Sequence, residues 1–205
     1  MYFVQYCIIK RNYRVVYFWG KEGKIMLEKV NRINRELIYE AAITKYYKDT
    51  VMLPDGKTAE WDFVGHNGAA AAVAVMDDGR ILMVSQYRNA LDRFTLEIPA
   101  GGLEPGESTM KAAAREVEEE TGYKCGKIEK LISIRTTVAF CNEKIDIYLA
   151  TDLVKTKQNL DEDEYVEVKA YEIKELEDMI YKGIIEDSKT IAAIMAYINK
   201  YVKCE

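Results

Sequence analysis

The stretch Ala100–Tyr123, AGGLEPGESTMKAAAREVEEETGY, places the strongest limits on how this chain can fold. Two glycines and the short loop LEPGES precede a run of good helix formers. Ser108 or Glu107 is suited to cap the start of a helix that continues to about Glu120. Gly122 is suited to end it, because glycine readily adopts left-handed backbone angles. The pattern predicts a strand, a loop and a helix in succession.

This helix is strongly acidic, with Glu116, Glu118, Glu119 and Glu120 within five residues. Like charges three or four residues apart on a helix repel by about 0.2–0.5 kcal/mol per pair. At about 100° per residue, Glu116, Glu119 and Glu120 share one face, whereas Glu118 points away. Three carboxylates beside a backbone turn suit a hard divalent cation such as Mg²⁺. A solvated acidic face is the alternative, and composition alone favours it.

The rest of the chain alternates strand patterns with helix patterns, which indicates an α/β or α+β fold. The alanine-rich Gly68–Met76 has helix propensity, but the turn DDG and the alternating RILMVSQYR after it make strand, turn and strand the better interpretation. The apolar arc of the acidic helix is expected to contain Met110, Ala113, Ala114 and Val117. Further strands are expected near residues 37–49, 59–64, 94–100, 128–136, 144–151 and 166–173, and helices at 174–182 and 187–202, the last capped by Asp187 or Ser188.

Composition excludes several classes of protein. The 205 residues, 49% of them hydrophobic, suffice for one domain with or without an accessory lobe. A formal charge of −5 in mixed order argues against nucleic acid as a partner. Four cysteines without a CxxC pair indicate neither zinc nor disulfides, and the single His66 is expected at a loop or strand edge. This use of cysteine is typical of a reducing cytosol, so we expect a cytoplasmic protein, and the chain has no run of 18 or more apolar residues.

The first 25 residues are aromatic and basic, and they fit neither a signal peptide nor a spanning helix. Lys21-Glu22-Gly23 can be encoded by a purine-rich run that resembles a bacterial ribosome-binding site upstream of Met26. We therefore expect Met26 to be the true start and residues 1–25 to be a leader or non-native extension. A genuine N-terminal strand is the alternative, and mass spectrometry of the native N-terminus separates the two.

The spacing of the acidic stretch is more specific than its composition. Gly101, five residues, Glu107, seven residues and then REVxEExG follow one another, as in the signature of the Nudix hydrolase family, which the chain resembles. One position departs, where Tyr123 replaces an aliphatic residue, and this affects packing. The resemblance implies an α/β/α sandwich that hydrolyses a nucleoside diphosphate linked to another moiety. It also implies a metal site made of Glu116, Glu119, Glu120 and the carbonyl oxygen of Ala100 or Gly101, with Glu119 and Arg115 among the catalytic residues and Arg115 orienting a ligand carboxylate.

Beyond this signature, the chain resembles the ADP-ribose pyrophosphatase group of that family from about Leu27 to the C-terminus. The shared motifs are DGKT with Trp61, QYR ending at Arg88, EIPAG beginning at Glu97, and an acidic loop followed by VEV. The resemblance implies Mg²⁺-dependent hydrolysis of ADP-ribose to AMP and ribose 5-phosphate, with Mn²⁺ as the alternative metal. It also implies a small N-terminal antiparallel β lobe at residues 26–64, which forms a homodimer, and a Nudix domain at residues 65–205.

The same resemblance gives roles to residues of the substrate site. Trp61 stacks on adenine across the dimer interface and Asp62 hydrogen-bonds the base; an ordinary core residue is the alternative for Trp61. Arg88 binds phosphate or ribose, for which its forked donors are suited, and a surface ion pair is its alternative. Glu97 belongs to the same site, and Glu143 contacts the terminal ribose or a metal.

A general base is useful in such a reaction, since a carboxylate can take the proton of metal-bound water. The candidate loop is Asn159–Val168, NLDEDEYVEV, which without the family would be interpreted as a solvated charge run. Within it, Glu164 aligns best with the catalytic glutamate, and Glu162 is the second candidate.

The chain departs from these relatives in one loop, where Val138-Ala139 replaces a Pro-Gly step. The difference concerns the sugar end of the predicted pocket, so another ADP-sugar or GDP-mannose is an alternative substrate. A non-catalytic sensor of ADP-ribose is a further alternative. Such sensors show a degraded acid set and an added DNA-binding segment, so the intact glutamates favour an enzyme.

Overall fold

The structure is a computed structural model that describes residues 18–20, 23–25, 29–162 and 164–203. The short strands β1 (Phe18–Gly20) and β2 (Gly23–Ile25) pair antiparallel. The rest of the expected leader, together with Met26, lies outside the described residues, so a start at Met26 stays a prediction.

The chain divides into two compact units, one formed by residues 1–39 and 46–63 and the other by residues 40–45 and 64–205. Most of the first unit is a three-stranded sheet in the order β3 (Asn31–Glu40), β4 (Thr44–Met52) and β5 (Thr58–His66). The predicted turn between β4 and β5 is confirmed, with Gly56 at φ 84°. The β-rich segment expected at 37–49 is divided between β3 and β4, because residues 41–43 form a bend that separates the two strands.

The second unit contains a seven-stranded mixed sheet. Its central order is β10-β11-β6-β7-β12; β8 adds to β7 and β9 adds to β6. Only the pairing of β6 with β11 is parallel among the pairings described. The strands are β6 (Ala69–Val75), β7 (Ile81–Arg88), β8 (Arg93–Glu97), β9 (Ala100–Gly102), β10 (Tyr123–Arg135), β11 (Lys144–Lys155) and β12 (Val166–Tyr171).

Helices cover both faces of this sheet, which makes the unit an α/β/α sandwich. Alternate residues of β6 point to opposite faces, as expected for a strand. On one face, Ala70, Ala72 and Ala74 pack with helix α1 (Thr109–Thr121). On the other, Ala71, Val73 and Val75 pack with α2 (Ile173–Tyr181) and α3 (Ser188–Tyr197), which a π-helical turn follows at Ile198–Val202.

The alanine-rich segment at Gly68–Met76 is therefore a strand, as its context predicted. It is buried on both faces, which explains why it lacks the alternation of a half-exposed strand. The apolar arc of α1 differs in part from the prediction. Ala112 is fully buried beside Ala113 and Val117, whereas Met110 is 47% exposed. Among the described residues, no helix is long and apolar enough to cross a membrane.

Candidate active site

Helix α1 begins and ends where the sequence predicted. The side chain of Ser108 caps its start by accepting a hydrogen bond from the backbone N–H of Lys111. Gly122 ends it with a φ of 70°, and its N–H donates to the carbonyl oxygen of Glu118. Tyr123, the departure from the family signature, starts β10 and packs against the apolar cluster beneath α1. These features fix which glutamates of α1 face the sheet.

The four glutamates of α1 have different surroundings. Glu116 and Glu120 are 8% and 2% exposed, whereas Glu118 and Glu119 are half-buried. The Oε2 of Glu120 accepts a 2.9 Å hydrogen bond from the backbone N–H of Ala100, at the start of β9. Burial and the charge of Glu118 together raise the pKa of the Cys125 thiol. The charge of Glu118 therefore affects the thiol of Cys125 in β10.

Arg115 holds several acidic groups together. Its Nη1 donates to Glu116 and to Glu119, at 2.8 Å each. Its Nε and Nη2 donate to the carboxylate of Glu107, and Nη2 also donates to the carbonyl oxygen of Gly102, all at 3.1 Å. The resemblance implied one carboxylate for this arginine, and the structure gives it three. This explains why a glutamate at position 107 belongs to the motif.

Burial raises the pKa of both inward-facing glutamates. The pKa of Glu116 rises to about 7 because of desolvation, which the charge of Arg115 opposes and the charges of Glu119 and Glu164 increase. The pKa of Glu120 rises to about 8, mainly through desolvation, against which the Ala100 N–H and Lys189 act. Buried carboxylates with insufficient positive charge nearby are the groups that a divalent cation would stabilise. The donor set therefore fits such an ion.

The metal-ligand assignment itself stays a prediction. Within the part of the chain that the structure describes, no three acidic, histidine or cysteine side chains are grouped closely enough to bind a metal ion as they stand. Arg115 Nη1 donates to both Glu116 and Glu119, while the Ala100 N–H binds one oxygen of Glu120. Ligation would require these carboxylates to exchange part of their present hydrogen bonds for the ion.

The raised pKa values predict how stability depends on pH. Without metal, the folded state binds more protons than the unfolded state between about pH 4.5 and 8, so stability should fall as the pH rises through this range. Because metal binds the ionised carboxylates, Mg²⁺ should stabilise more at pH 8 than at pH 6. Thermal unfolding with EDTA and with Mg²⁺ measures both effects. The double variant Glu116→Gln with Glu120→Gln should lose the Mg²⁺ effect; an unchanged Mg²⁺ effect would contradict the assignment.

A cavity of about 570 Å³ is connected to Glu120 through β9, because the Ala100 that lines the cavity also donates its N–H to Glu120; Glu116, Glu119 and Glu120 are not among the lining residues. Among its lining residues are Ala100, Gly101, Arg88, Glu97 and Glu143, so the structure brings together predicted residues that lie far apart in sequence. The Nε and Nη2 of Arg88 donate to the two oxygens of Glu97, at 2.7 Å each. Arg88 therefore forms an ion pair, which was the alternative interpretation of this residue, and both partners of that ion pair line the cavity.

Glu143 also lines the cavity. Its carboxylate accepts a 2.7 Å hydrogen bond from Thr136, and Nδ1 of His66 lies 3.6 Å from its Oε1. His66 is at the end of β5, as expected, and also lines the cavity. The loop that lacks the Pro-Gly step still turns at residues 138–140, where the N–H of Cys141 donates to Thr137.

The acidic loop is attached to the end of α1. The backbone N–H of Asn159 donates to the carbonyl oxygen of Glu119 at 3.0 Å. The side chain of Gln158 donates to the carbonyl oxygen of Glu120 at 2.7 Å. Farther along, the charge of Glu164 contributes to the raised pKa of both Glu116 and Glu120, and its own carboxylate accepts a 3.3 Å hydrogen bond from the backbone N–H of Asp161. No sequence motif indicated a role for Gln158, because its side chain binds a backbone carbonyl oxygen.

Trp61 and Asp62 belong to the first unit. Both are exposed on β5, and Asp62 accepts a 2.7 Å hydrogen bond from the hydroxyl of Tyr46. The exposed ring of Trp61 does not behave as the core residue that was its alternative.

The second unit is thus an α/β/α sandwich in which an arginine-bound acidic helix lies beside a cavity. Comparison with known proteins identifies the class of protein that has this arrangement. The family model of the NUDIX domain matches residues 65–194. The chain belongs to the Nudix family, which confirms the resemblance found in the sequence.

Curated relatives extend over most of the chain. It is 42% identical over 175 residues to a protein of Bacillus methanolicus named methanol dehydrogenase activator, covering 84% of this chain and 93% of the relative. It is 40% identical over 164 residues to the ADP-ribose pyrophosphatase of Bacillus subtilis strain 168, covering 79% and 89%. A protein of the same name from Mycobacterium tuberculosis is 35% identical over 167 residues, covering 80% and 81%.

Among solved structures, the fold matches one described as an ADP compounds hydrolase. The TM-score is 0.78, and the match covers 88% of this chain and 97% of the other. Since the two sequences are only 20% identical, this match supports the fold alone.

Proposed function

We propose that this protein hydrolyses the pyrophosphate of ADP-ribose to AMP and ribose 5-phosphate. The observation that carries the proposal is the placement of two buried carboxylates, Glu116 and Glu120, beside a cavity lined by Arg88. Repelling anionic oxygens protect a pyrophosphate from attack, so positive charge must be placed on them. The relatives named ADP-ribose pyrophosphatase supply the choice of substrate.

The residues proposed to hold the metal are Glu116, Glu119, Glu120 and the carbonyl oxygen of Ala100 or Gly101. When bound, Mg²⁺, or Mn²⁺ in its place, would neutralise phosphate oxygens and lower the pKa of a water molecule. Arg115 keeps these carboxylates oriented through its shared hydrogen bonds. Overall, a water oxygen forms a bond to one phosphorus, the bridging P–O bond breaks, and the protons of that water end on the protein and the product phosphates.

Glu164 is the proposed general base, with Glu162 as the second candidate. The charge of Glu164 acts on Glu116 and Glu120, which supports this order. We expect Glu164→Gln to lower kcat by about 10²–10⁴, the usual contribution of a general base, with little change in stability. Glu162→Gln, two residues away on the same loop, is the matched control and should stay within a few-fold of wild type. The reverse result would transfer the role to Glu162.

Substrate contacts are proposed for both units. Trp61 and Asp62 would bind adenine in a homodimer, Arg88 would bind phosphate, and Glu143 would bind the terminal ribose. The exposure of Trp61 supports its role, because an exposed tryptophan is a suitable stacking surface. We also propose a cytoplasmic location, which the free thiols of Cys125 and Cys141 support.

The test is a phosphatase-coupled assay of phosphate release with Mg²⁺. We expect ADP-ribose to be hydrolysed more efficiently than GDP-mannose, another ADP-sugar, NADH or diadenosine polyphosphates. Faster hydrolysis of a different nucleoside diphosphate sugar would change the substrate and keep the class of reaction. No hydrolysis of any of them, together with tight binding of ADP-ribose, would favour the sensor instead.

The relative from Bacillus methanolicus favours a second candidate function, activation of a dehydrogenase. Its identity to this chain is as high as that of the pyrophosphatases. Methanol oxidation by a purified methanol dehydrogenase, measured with and without this protein, tests the candidate. Stimulation that survives Glu120→Gln would show an activating role independent of hydrolysis.

A further inference from the structure

Lys189 is a buried cation that the sequence did not indicate. It lies in the first turn of α3, is 8% exposed, and lines the cavity. Its ammonium group forms an ion pair with Glu97 and a 3.0 Å hydrogen bond with Asp187, the N-cap of α3. A lysine with this degree of burial requires such partners, because the charged group loses most of its hydration. Its ion pairs therefore define its role.

Glu97 is fully occupied by partners. Its Oε1 accepts hydrogen bonds from Nε of Arg88 and from the hydroxyl of Thr95, at 2.7 Å each. Its Oε2 accepts from Nη2 of Arg88 and from Lys189. Burial alone would raise the pKa of Glu97, but the hydrogen bonds from Arg88 and the charge of Lys189 outweigh it and lower the pKa to about 2. A carboxylate that is 2% exposed and has four donors has little capacity left for a substrate.

Arg88 differs from Glu97, because its side chain is 41% exposed. The hydrogen bonds described use two of its five N–H donors and hold one edge of the guanidinium against Glu97. The remaining donors are available to an anion in the cavity that Arg88 lines.

We propose that Lys189 and Glu97 are positioning residues that fix the guanidinium of Arg88 for a phosphate group of the substrate. The N-terminus of α3 holds Lys189, Lys189 holds one oxygen of Glu97, and Glu97 holds one edge of Arg88. The proposal rests on the proposed function in that the anion is one of the two phosphates of a nucleoside diphosphate sugar. It changes the role of Glu97 from contact with the substrate to support of the residue that makes this contact.

The test is a double-mutant cycle between Lys189 and Arg88. Lys189→Met should raise KM for ADP-ribose about tenfold, with kcat changed less, as expected when a charged hydrogen bond to the substrate is weakened. Lys189→Arg should restore most of the affinity because it keeps the charge. In the Arg88→Gln background, Lys189→Met should have almost no further effect on KM. Independent, multiplying effects would overturn the proposal, because Lys189 would then bind the substrate by itself.

A control variant and a second probe keep the test decisive. Lys130→Met removes a lysine paired with Asp146 outside the cavity lining and should leave KM unchanged. If Lys189→Met does not fold, Glu97→Gln replaces it in the cycle, with the same expected rise in KM and the same dependence on Arg88. A folded Lys189→Met with wild-type KM and a lower Tm would show a purely structural role and overturn the proposal.

Binding of inorganic pyrophosphate, measured by titration calorimetry, separates this proposal from the proposed function. Wild-type protein that binds pyrophosphate but hydrolyses no ADP-ribose would refute the function alone. Lys189→Met that binds pyrophosphate as tightly as wild type would refute the positioning role alone. The expected result is weaker binding by Lys189→Met and recovery in Lys189→Arg.

Discussion

Glu120→Gln is expected to lower the turnover of ADP-ribose by about three orders of magnitude, the scale of several kcal/mol of metal-assisted stabilisation, while the protein stays folded. Glu120 is almost fully buried, and its carboxylate accepts a hydrogen bond from the Ala100 N–H. A glutamine oxygen can accept the same bond, so the position of β9 should be kept. What is lost is a negative charge that burial already makes costly in the metal-free protein. Steady-state kinetics and thermal unfolding measure the two effects separately.

Glu118→Gln is the matched control, since it makes the same chemical change on the same helix. Glu118 is half-buried and acts on Cys125, so its variant should keep turnover within a few-fold of wild type. In the metal-free protein above about pH 8, where Glu120 is ionised, Glu120→Gln should raise Tm, because it removes a destabilising buried charge. An active Glu120→Gln, or an equal loss in both variants, would exclude the ligand role of Glu120.

Local signals in the sequence were sufficient for the acidic helix. A serine able to cap, a glycine able to turn left-handed and a 3.6-residue period act within a few residues, and the helix bounds agree with them. The inward placement of Glu116 and Glu120 and the outward placement of Glu118 follow from the same period, whereas Glu119, which was expected on the inward face, is half-buried like Glu118. Their degree of burial does not, because it depends on how closely α1 lies on the small alanines of β6.

Such local signals could not predict contacts between segments that are distant in sequence. Lys189 and Glu97 are 92 residues apart, and nothing in the pattern around Lys189 distinguishes it from a solvated lysine near a helix start. Gln158 is similar, since it binds a backbone carbonyl that any residue would present. The role expected of Glu97 came from its motif, and only the geometry of its four donors assigns it to the support of Arg88.

Gly101→Ala is expected to reduce activity at least a hundredfold while changing stability by less than about 1 kcal/mol. A methyl group at this position would overlap the carboxylate of Glu116, with only 2.6 Å to its Oε2. The atoms that must move are the end of a flexible side chain, so the fold can adapt at small cost. The carboxylate would then leave its position beside Nη1 of Arg115.

The neighbouring Gly102 provides a matched control for this prediction. A methyl group added at Gly102 would meet nothing within 4 Å, so Gly102→Ala makes the same change one residue along the same strand without touching Glu116. We expect Gly102→Ala to keep both activity and Mg²⁺ stabilisation, and Gly101→Ala to lose both, in kinetic and thermal unfolding measurements. Equal effects would mean that the strand backbone matters and the space at Gly101 does not. A loss in Gly101→Ala alone would explain why the motif has a glycine at this position. The glycine leaves room for the carboxylate of Glu116, which the proposed reaction requires.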